Sequence, residues 1–191
     1  MKAYEIKGHK VTFDEATHKY TVDGYEVPSV STILKDTIFN KKYSSVKCST
    51  TNAAALWGTQ IHVAIENKNP MLLDTVQEQR YNEFWQLLKS IDQEIHNQEQ
   101  IVFYKHNGKV VYVGTYDLLL GDTLADIKCT YNLDMNYLSW QLNLYRMAYE
   151  QLHDTTIKSL YAFWLPKRKK GKVAEVEMKE DKELLEFVES L

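Results

Sequence analysis

Hydrophobic and polar positions follow two rhythms along this chain, and these rhythms predict both helices and strands. Apolar residues recur every three or four positions over 75–95, which predicts a helix with one buried face. Its inward side chains are predicted to be Phe84, Leu87, Leu88, Ile91 and Ile95. The same spacing predicts further helices over about 51–66, 136–152 and 181–191.

Short alternating segments separated by turn residues predict two groups of strands. Asp23-Gly24 divides the first group. Asn107-Gly108 and Gly121-Asp122 divide the second, which is an antiparallel meander over about 100–128. Strands over 158–165 and 172–178 follow the helix at 136–152. This order predicts an α/β fold with a central mixed sheet flanked by helices.

The turn at Gly121-Asp122 fixes a register between two of these strands. A glycine at the first turn position suits a two-residue type II′ hairpin, in which Leu120 faces Thr123. The same register sets Asp117 directly opposite Asp126. Because side chains alternate between the two faces of a sheet, both carboxylates are predicted on one patch.

Lys128 joins that patch because it lies two residues beyond Asp126. Opposed like charges destabilise a sheet by about 0.2–1 kcal/mol, and a divalent cation would offset the repulsion. Asp117 and Asp126 offer the hard oxygen ligands that Mg²⁺ and Mn²⁺ prefer. Lys128 would orient a water or stabilise charge on phosphorus oxygens. The pattern therefore predicts a metal-dependent phosphodiesterase.

A stripe on the helix at 51–66 adds a second group of candidates. Gly58, His62 and Glu66 are four residues apart and share one face. Gly58 indicates that another part of the protein approaches the backbone closely. His62 is a candidate metal ligand, although a lone histidine here is more often structural. Glu66 is either an outer acid of the site or a solvated side chain.

Four further positions carry weaker signals. Gln141 and Tyr145 share one helix face and could hydrogen-bond to and stack on a nucleic-acid strand, although such a face is more often core. Ser29 could bind a phosphate, but a plain helix cap there, at Ser29 or Ser31, is expected more. Glu99 is interpreted as a charge at a strand edge in preference to a further acid of the site.

Composition bounds these interpretations. The chain has 191 residues, 44% hydrophobic, with a net charge of −3 and no apolar run or leader-like segment, which predicts one intracellular domain. Cys48 and Cys129 are its two cysteines, so a disulfide framework and a four-cysteine zinc or iron–sulfur site are excluded. The basic run at 167–172 is most often a solvated hairpin tip, but near a nuclease cleft it would contact phosphates.

Four short motifs occur in an order that resembles the RecB-like branch of the PD-(D/E)XK nuclease superfamily. They are G-x-x-x-H at Gly58–His62, G-x-x-D at Gly114–Asp117, D-x-K at Asp126–Lys128 and Q-x-x-x-Y at Gln141–Tyr145. In addition, Val27–Leu34 is similar to the leading segment of phage-type exonucleases and of the mitochondrial genome-maintenance exonuclease.

This resemblance implies a restriction-endonuclease-like α-β-β-β-α-β core in a single domain over 1–191. An N-terminal extension would cover about 1–50, the motif core 51–165, and a hairpin and helix 166–191. One or two Mg²⁺ or Mn²⁺ ions, and no iron–sulfur cluster, would serve as cofactor. The implied ligands are His62, Asp117, Asp126 and the Ile127 carbonyl, with Asp117, Asp126 and Lys128 catalytic. Gln141 and Tyr145 would lie along the DNA path. Apart from the resemblance, Ser29 is a further candidate for contact with DNA, and Glu66 and Glu99 are candidates for positions behind the ligands.

The resulting expectation is a cytoplasmic, prokaryotic or phage-encoded DNA exonuclease. It would act on free or single-stranded ends in recombination, replication or repair, with a partner protein from that machinery and no membrane. Three alternatives stay open. They are a structure-specific or restriction-type endonuclease of the same fold, an inactive DNA-binding module, and a metal-dependent hydrolase of a small phosphoester.

Overall fold

The computed structural model describes residues 1–40 and 48–191 of the chain, so 41–47, within the expected N-terminal extension, lie outside the described residues. The strands are β1 Lys2–Ile6, β2 His9–Asp14, β3 Lys19–Val22, β4 Tyr25–Val27, β5 Asn97–His106, β6 Lys109–Leu120, β7 Thr123–Lys128, β8 Ser159–Trp164 and β9 Lys172–Val176. The helices of the described part are α1 Val30–Asp36, α2 Cys48–Glu66, α3 Thr75–Ser90, α4 Met135–His153 and α5 Asp181–Glu189. No helix in these ranges is long and apolar enough to cross a membrane.

The strands form two sheets. β1 to β4 make an antiparallel meander, and β5 to β9 make a five-stranded sheet in chain order. Within the larger sheet only β7 and β8 are parallel, because α4 carries the chain from the end of β7 back to the start of β8. The predicted α/β fold with a central mixed sheet is confirmed.

Helices cover both faces of the larger sheet. Leu142 of α4 packs in a buried cluster with Leu124 and Leu160 of the sheet. Ile65 of α2 and Phe84 of α3 belong to a second cluster, on residues of β6, β7 and β8. The functional side chains described below lie where α2 meets the ends of β6 and β7.

The predicted hairpin register is confirmed over its first three pairs. Leu120 faces Thr123, and the ladder continues to Leu118 opposite Ala125. Gly121 has a φ of 62°, as the first position of a type II′ turn requires.

The predicted helix over 75–95 is too long, because α3 ends at Ser90. The Ile91 N–H donates to the Leu88 carbonyl and the Asp92 N–H to the Lys89 carbonyl. Asp92 has a φ of 52° in the left-handed region, which ends the helix. Ile91 still packs against the cluster that contains Phe84. The apolar spacing predicted the burial there but not the helix end.

Candidate active site

Three side chains from three elements converge at one point. His62 of α2, Glu99 of β5 and Asp117 of β6 each offer one ligand atom, and these atoms all lie within 4.8 Å of one another. His62 Nδ1 is 3.7 Å from Asp117 Oδ2. The three residues line a cleft of about 600 Å³ together with Lys128. All four side chains are partly buried.

Close helix–strand packing brings His62 to this point. A Cβ built on Gly58 would lie 3.3 Å from the Cβ of Cys129, tighter than an ordinary contact. The predicted close approach at Gly58 is thereby confirmed. Because Cys129 directly follows β7, the absence of a side chain at Gly58 lets this part of α2 lie against the end of that strand.

Asp117 is fixed by the backbone of the neighbouring strand. Its Oδ2 accepts a hydrogen bond from the Ile127 N–H at 2.7 Å. The backbone ladder between β6 and β7 stops at Leu118, so the direct pairing predicted for Asp117 and Asp126 is not part of the ladder. The side chain takes the place of a strand partner at the point where the strands separate.

Glu99 faces the cleft and is not a solvated edge charge, so the interpretation favoured from the sequence is wrong. Gln98 pairs with Leu118 and Gln100 with Tyr116, which places Glu99 across from Asp117. The reason is a bulge between Tyr104 and Lys105. It shifts by one residue the register that the Asn107-Gly108 turn sets between β5 and β6. Glu99 has a φ of 51°, uncommon for a residue with a side chain.

The electrostatics of Glu99 reflect an unbalanced negative charge. Burial, followed by the charges of Asp117, Glu66 and Asp126, raises the pKa of Glu99 to about 8. The ionised form of Glu99 is therefore disfavoured in the ion-free cleft, and a cation nearby would favour it. Glu66 itself is exposed at the last residue of α2 and lines the same cleft.

Asp126 and Lys128 form a buried ion pair beside this cluster. Asp126 is 2% exposed, and its Oδ1 accepts a hydrogen bond from Lys128 Nζ at 2.8 Å. Nζ also lies 2.8 Å from Oδ2, at an angle that makes no hydrogen bond to that oxygen. The predicted proximity of Asp126 and Lys128 is confirmed.

The pair also removes part of the repulsion that led us to expect a cation. Burial raises the pKa of Asp126 to about 6, against the opposing effect of Lys128. Burial would lower the pKa of Lys128, but Asp126 and Asp117 outweigh it and hold this pKa above its usual value. Asp126 is not among the residues that line the cleft, and its role as a metal ligand stays a prediction. Ile127 lines the cleft, and the role of its carbonyl also stays a prediction.

Both named residues of the fourth motif are buried on α4. Gln141 is 8% and Tyr145 6% exposed, and the Gln141 amide donates to the Tyr145 hydroxyl at 3.3 Å. Tyr145 lines a second cleft of about 390 Å³, which Ser29 also lines. Ser29 caps α1 by accepting a hydrogen bond from the Thr32 N–H at 3.1 Å, so the expected cap is confirmed. Contact of these three residues with DNA stays a prediction.

Tyr145 of the fourth motif explains the glycine of the second motif, Gly114. A Cβ on Gly114 would lie 2.4 Å from Cε1 of the Tyr145 ring. We therefore expect Gly114→Ala to lower the free energy of unfolding by about 1–3 kcal/mol through overpacking. Denaturant unfolding of Gly114→Ala, Tyr145→Ala and the double variant checks this as a double-mutant cycle. Strictly additive losses would contradict the proposed steric coupling.

Comparison with known proteins gives a likeness of fold. No model of a known protein family matches the sequence, and no curated protein is detectably similar to it. The crystal structure of SSO0001 has a TM-score of 0.49 and 14% identity, over 86% of this chain and 73% of that chain. The crystal structure of a "putative exonuclease" from Eubacterium rectale has a TM-score of 0.51 and 12% identity, over 86% of this chain and 77% of that chain. The second likeness is one of fold.

Proposed function

We propose that this protein is a divalent-metal-dependent nuclease that hydrolyses DNA phosphodiester bonds. The observation that carries the proposal is the convergence of His62, Glu99 and Asp117 in a cleft whose wall also carries Lys128. Carboxylates and an imidazole can hold a divalent metal ion, and an ammonium group can stabilise charge on a phosphate, so this set could support metal-assisted phosphodiester hydrolysis. The structural likeness to a protein described as an exonuclease supports the same reading.

The residues present fit a Mg²⁺ or Mn²⁺ ion. Carboxylate oxygens suit both ions, and an imidazole favours Mn²⁺ at least as much as Mg²⁺. Glu99 and Asp117 face each other in the cleft, and a bound cation would favour the ionised form of Glu99 that could serve as its ligand. When bound, such an ion polarises a phosphoryl oxygen and lowers the pKa of a coordinated water.

The chain's own residues supply the remaining parts. The Lys128 ammonium group, anchored by Asp126, can donate to an oxygen of the scissile phosphate and stabilise the charge that develops there. Asp117 is held by the Ile127 N–H, so it does not reorient when a strand enters the cleft.

Exonuclease action on free or single-stranded ends, in recombination, replication or repair, is the finer form of this proposal. It rests on the resemblance of the four motifs to RecB-like nucleases and of Val27–Leu34 to the leading segment of phage-type exonucleases. An endonuclease of the same fold and an inactive DNA-binding module are the competing functions. The intact set of His62, Asp117, Asp126 and Lys128 argues against the inactive module.

A single assay separates these functions. End-labelled linear single- and double-stranded DNA and closed circular DNA are incubated with Mg²⁺, Mn²⁺ or EDTA. Metal-dependent loss of linear strands with circles spared is the expected result, and cleaved circles would indicate an endonuclease. If no DNA is cleaved, two further measurements decide. Binding of DNA without cleavage would favour the inactive module, and hydrolysis of a small phosphoester would favour a small-molecule hydrolase.

Glu99→Gln tests the part of the cluster that the structure added. We expect the Mn²⁺ concentration for half-maximal cleavage to rise about 10-fold or more, by analogy with the loss of a group that supports a metal site. Glu66→Gln is the matched control, because Glu66 lines the same cleft but is exposed and lies outside the cluster. A larger effect at Glu66 than at Glu99 would contradict the assignment.

A further inference from the structure

The turn between β8 and β9 carries five basic residues within six positions. They are Lys167, Arg168, Lys169, Lys170 and Lys172, and all are exposed. Their charge contrasts with the net charge of −3 of the whole protein. In the described part of the chain, no carboxylate forms an ion pair with Lys167, Lys169 or Lys172, so these three charges are available to a ligand.

Aromatic rings lie beside these lysines. The Lys169 ammonium is 4.9 Å from the Tyr131 ring centroid and 5.5 Å from that of Trp164. Lys172 lies 5.7 Å from the Trp164 ring and Lys167 lies 5.5 Å from the Trp57 ring. We call the three lysines and the three rings the hairpin platform. Tyr131 is 67% exposed, so much of its surface is open to a ligand.

Helix α3 holds the hairpin in one conformation. Arg80 pairs with Glu83 and donates to the Lys169 carbonyl at 2.8 Å. Glu83 Oε1 accepts from the Gly171 N–H at 2.9 Å, and a Cβ on Gly171 would lie 2.8 Å from Glu83 Oε2. Since the backbone is anchored at Lys169 and at Gly171, within the basic run, the platform is preorganised for binding.

The platform continues directly into the candidate active site. Thr130 and Tyr131 line the same cleft as Lys128 and the metal-ligand cluster. Trp164 Nε1 donates to the Thr130 carbonyl at 2.8 Å, which ties the platform to the chain that leaves β7. A polymer lying in the cleft would therefore meet these rings and lysines on leaving it.

We propose that the hairpin platform binds the single-stranded DNA that extends from the cleft. Exposed lysines suit backbone phosphates, and an exposed tyrosine suits stacking on an unpaired base. Paired bases do not offer their faces, so the platform favours a single strand over duplex. This inference rests on the proposed nuclease function and adds the substrate form and the surface that recognises it.

The test measures DNA binding apart from cleavage. Fluorescence anisotropy with labelled oligo-dT of about 20 nucleotides is run in Ca²⁺, while cleavage is measured separately in Mn²⁺. The platform variant is Lys167→Ala/Lys169→Ala/Lys172→Ala. The control is Lys109→Ala/Lys158→Ala/Lys182→Ala, which removes the same charge from exposed lysines. Lys158 precedes β8, at the end of the strand opposite Trp164.

We expect the platform variant to lose at least about 10-fold in affinity for oligo-dT, with a salt dependence reduced by roughly 2 in log–log slope, from three lost phosphate contacts. The control variant should lose less than about 3-fold in affinity for oligo-dT, because salt screens the effect of lysines that do not contact the DNA. Cleavage by the platform variant at saturating DNA should stay within about 2-fold of wild type, because Lys128 and the cluster are intact. Equal losses of affinity in the platform and control variants would overturn the proposal that the platform binds DNA.

Tyr131 separates stacking from charge. Tyr131→Ala should weaken oligo-dT binding about 10-fold and leave duplex binding nearly unchanged, while Tyr131→Trp should retain affinity. Equal effects of Tyr131→Ala on both DNA forms would overturn the stacking role.

The two proposals fail in different ways. Wild-type protein that binds oligo-dT through the platform but cleaves nothing would remove the nuclease function and leave the platform. Wild-type protein that cleaves DNA, with equal binding by both triple variants, would remove the platform alone. Wild-type protein that neither binds nor cleaves DNA would overturn both.

Discussion

Lys128→Met is expected to lower the cleavage rate by about 100-fold to 10,000-fold and to destabilise the fold at the same time. The loss of rate follows because a positioned ammonium group at the scissile phosphate is absent. The loss of stability, about 3 kcal/mol, follows because Asp126 is left buried without its partner. Steady-state kinetics and denaturant unfolding measure the two effects.

A double variant tells the two effects apart. Asp126→Asn/Lys128→Met removes both charges, so it should recover most of the stability but none of the activity. The stability deficit of Lys128→Met should also be smaller at pH 5 than at pH 8. Lys128 lowers the pKa of Asp126, so its removal should raise that pKa further above the unfolded value. A buried carboxyl of this kind stabilises the fold less as the pH rises from its unfolded pKa to its folded pKa. A Lys128→Met protein with full activity would contradict the proposed role.

Asp117→Asn is expected to lower metal-dependent cleavage by about 1,000-fold or more, since several kcal/mol of charge stabilisation would be lost. It should also weaken Mn²⁺ binding, measurable by calorimetry, because one carboxylate of the cluster becomes a neutral amide. The amide oxygen can still accept from the Ile127 N–H, so the local fold is retained.

The same variant should gain stability in EDTA. Burial raises the pKa of Glu99, and the charge of Asp117 adds to the effect, so removing that charge relieves a repulsion in the ion-free protein. The control is Asp122→Asn, which removes an exposed carboxylate that pairs with Lys158 at the far end of β7. Unchanged Mn²⁺ affinity in Asp117→Asn would contradict the assignment of Asp117 to a metal site.

Local chemistry made much of the fold predictable. The glycine of Gly121-Asp122 set the turn type, and the turn set the register as far as Leu118. The D-x-K spacing placed Asp126 and Lys128 on one side of β7, and their ion pair follows from that alternation. These features depend on residues within a few positions of each other, so the sequence pattern is enough to predict them.

Glu99 shows where such reasoning stops. Counting back from the Asn107-Gly108 turn in an unbroken ladder sets Gln98 across from Asp117, and Glu99 then points to the other face. The bulge between Tyr104 and Lys105 reverses that outcome. A bulge of this kind depends on packing along the whole strand pair, and no residue type at that position predicts it.

The burial of Asp126 shows the same limit. The sequence predicted two opposed carboxylates that a cation would have to balance, while the structure pairs Asp126 with Lys128 and sets Asp117 beside Glu99 in the cleft. Local turn and strand chemistry by itself determined the strand order, one hairpin register and most candidate residues. Only the tertiary structure decided which acids share a cleft and which are neutralised, because that choice depends on a bulge, on the packing of α2 against β7, and on burial.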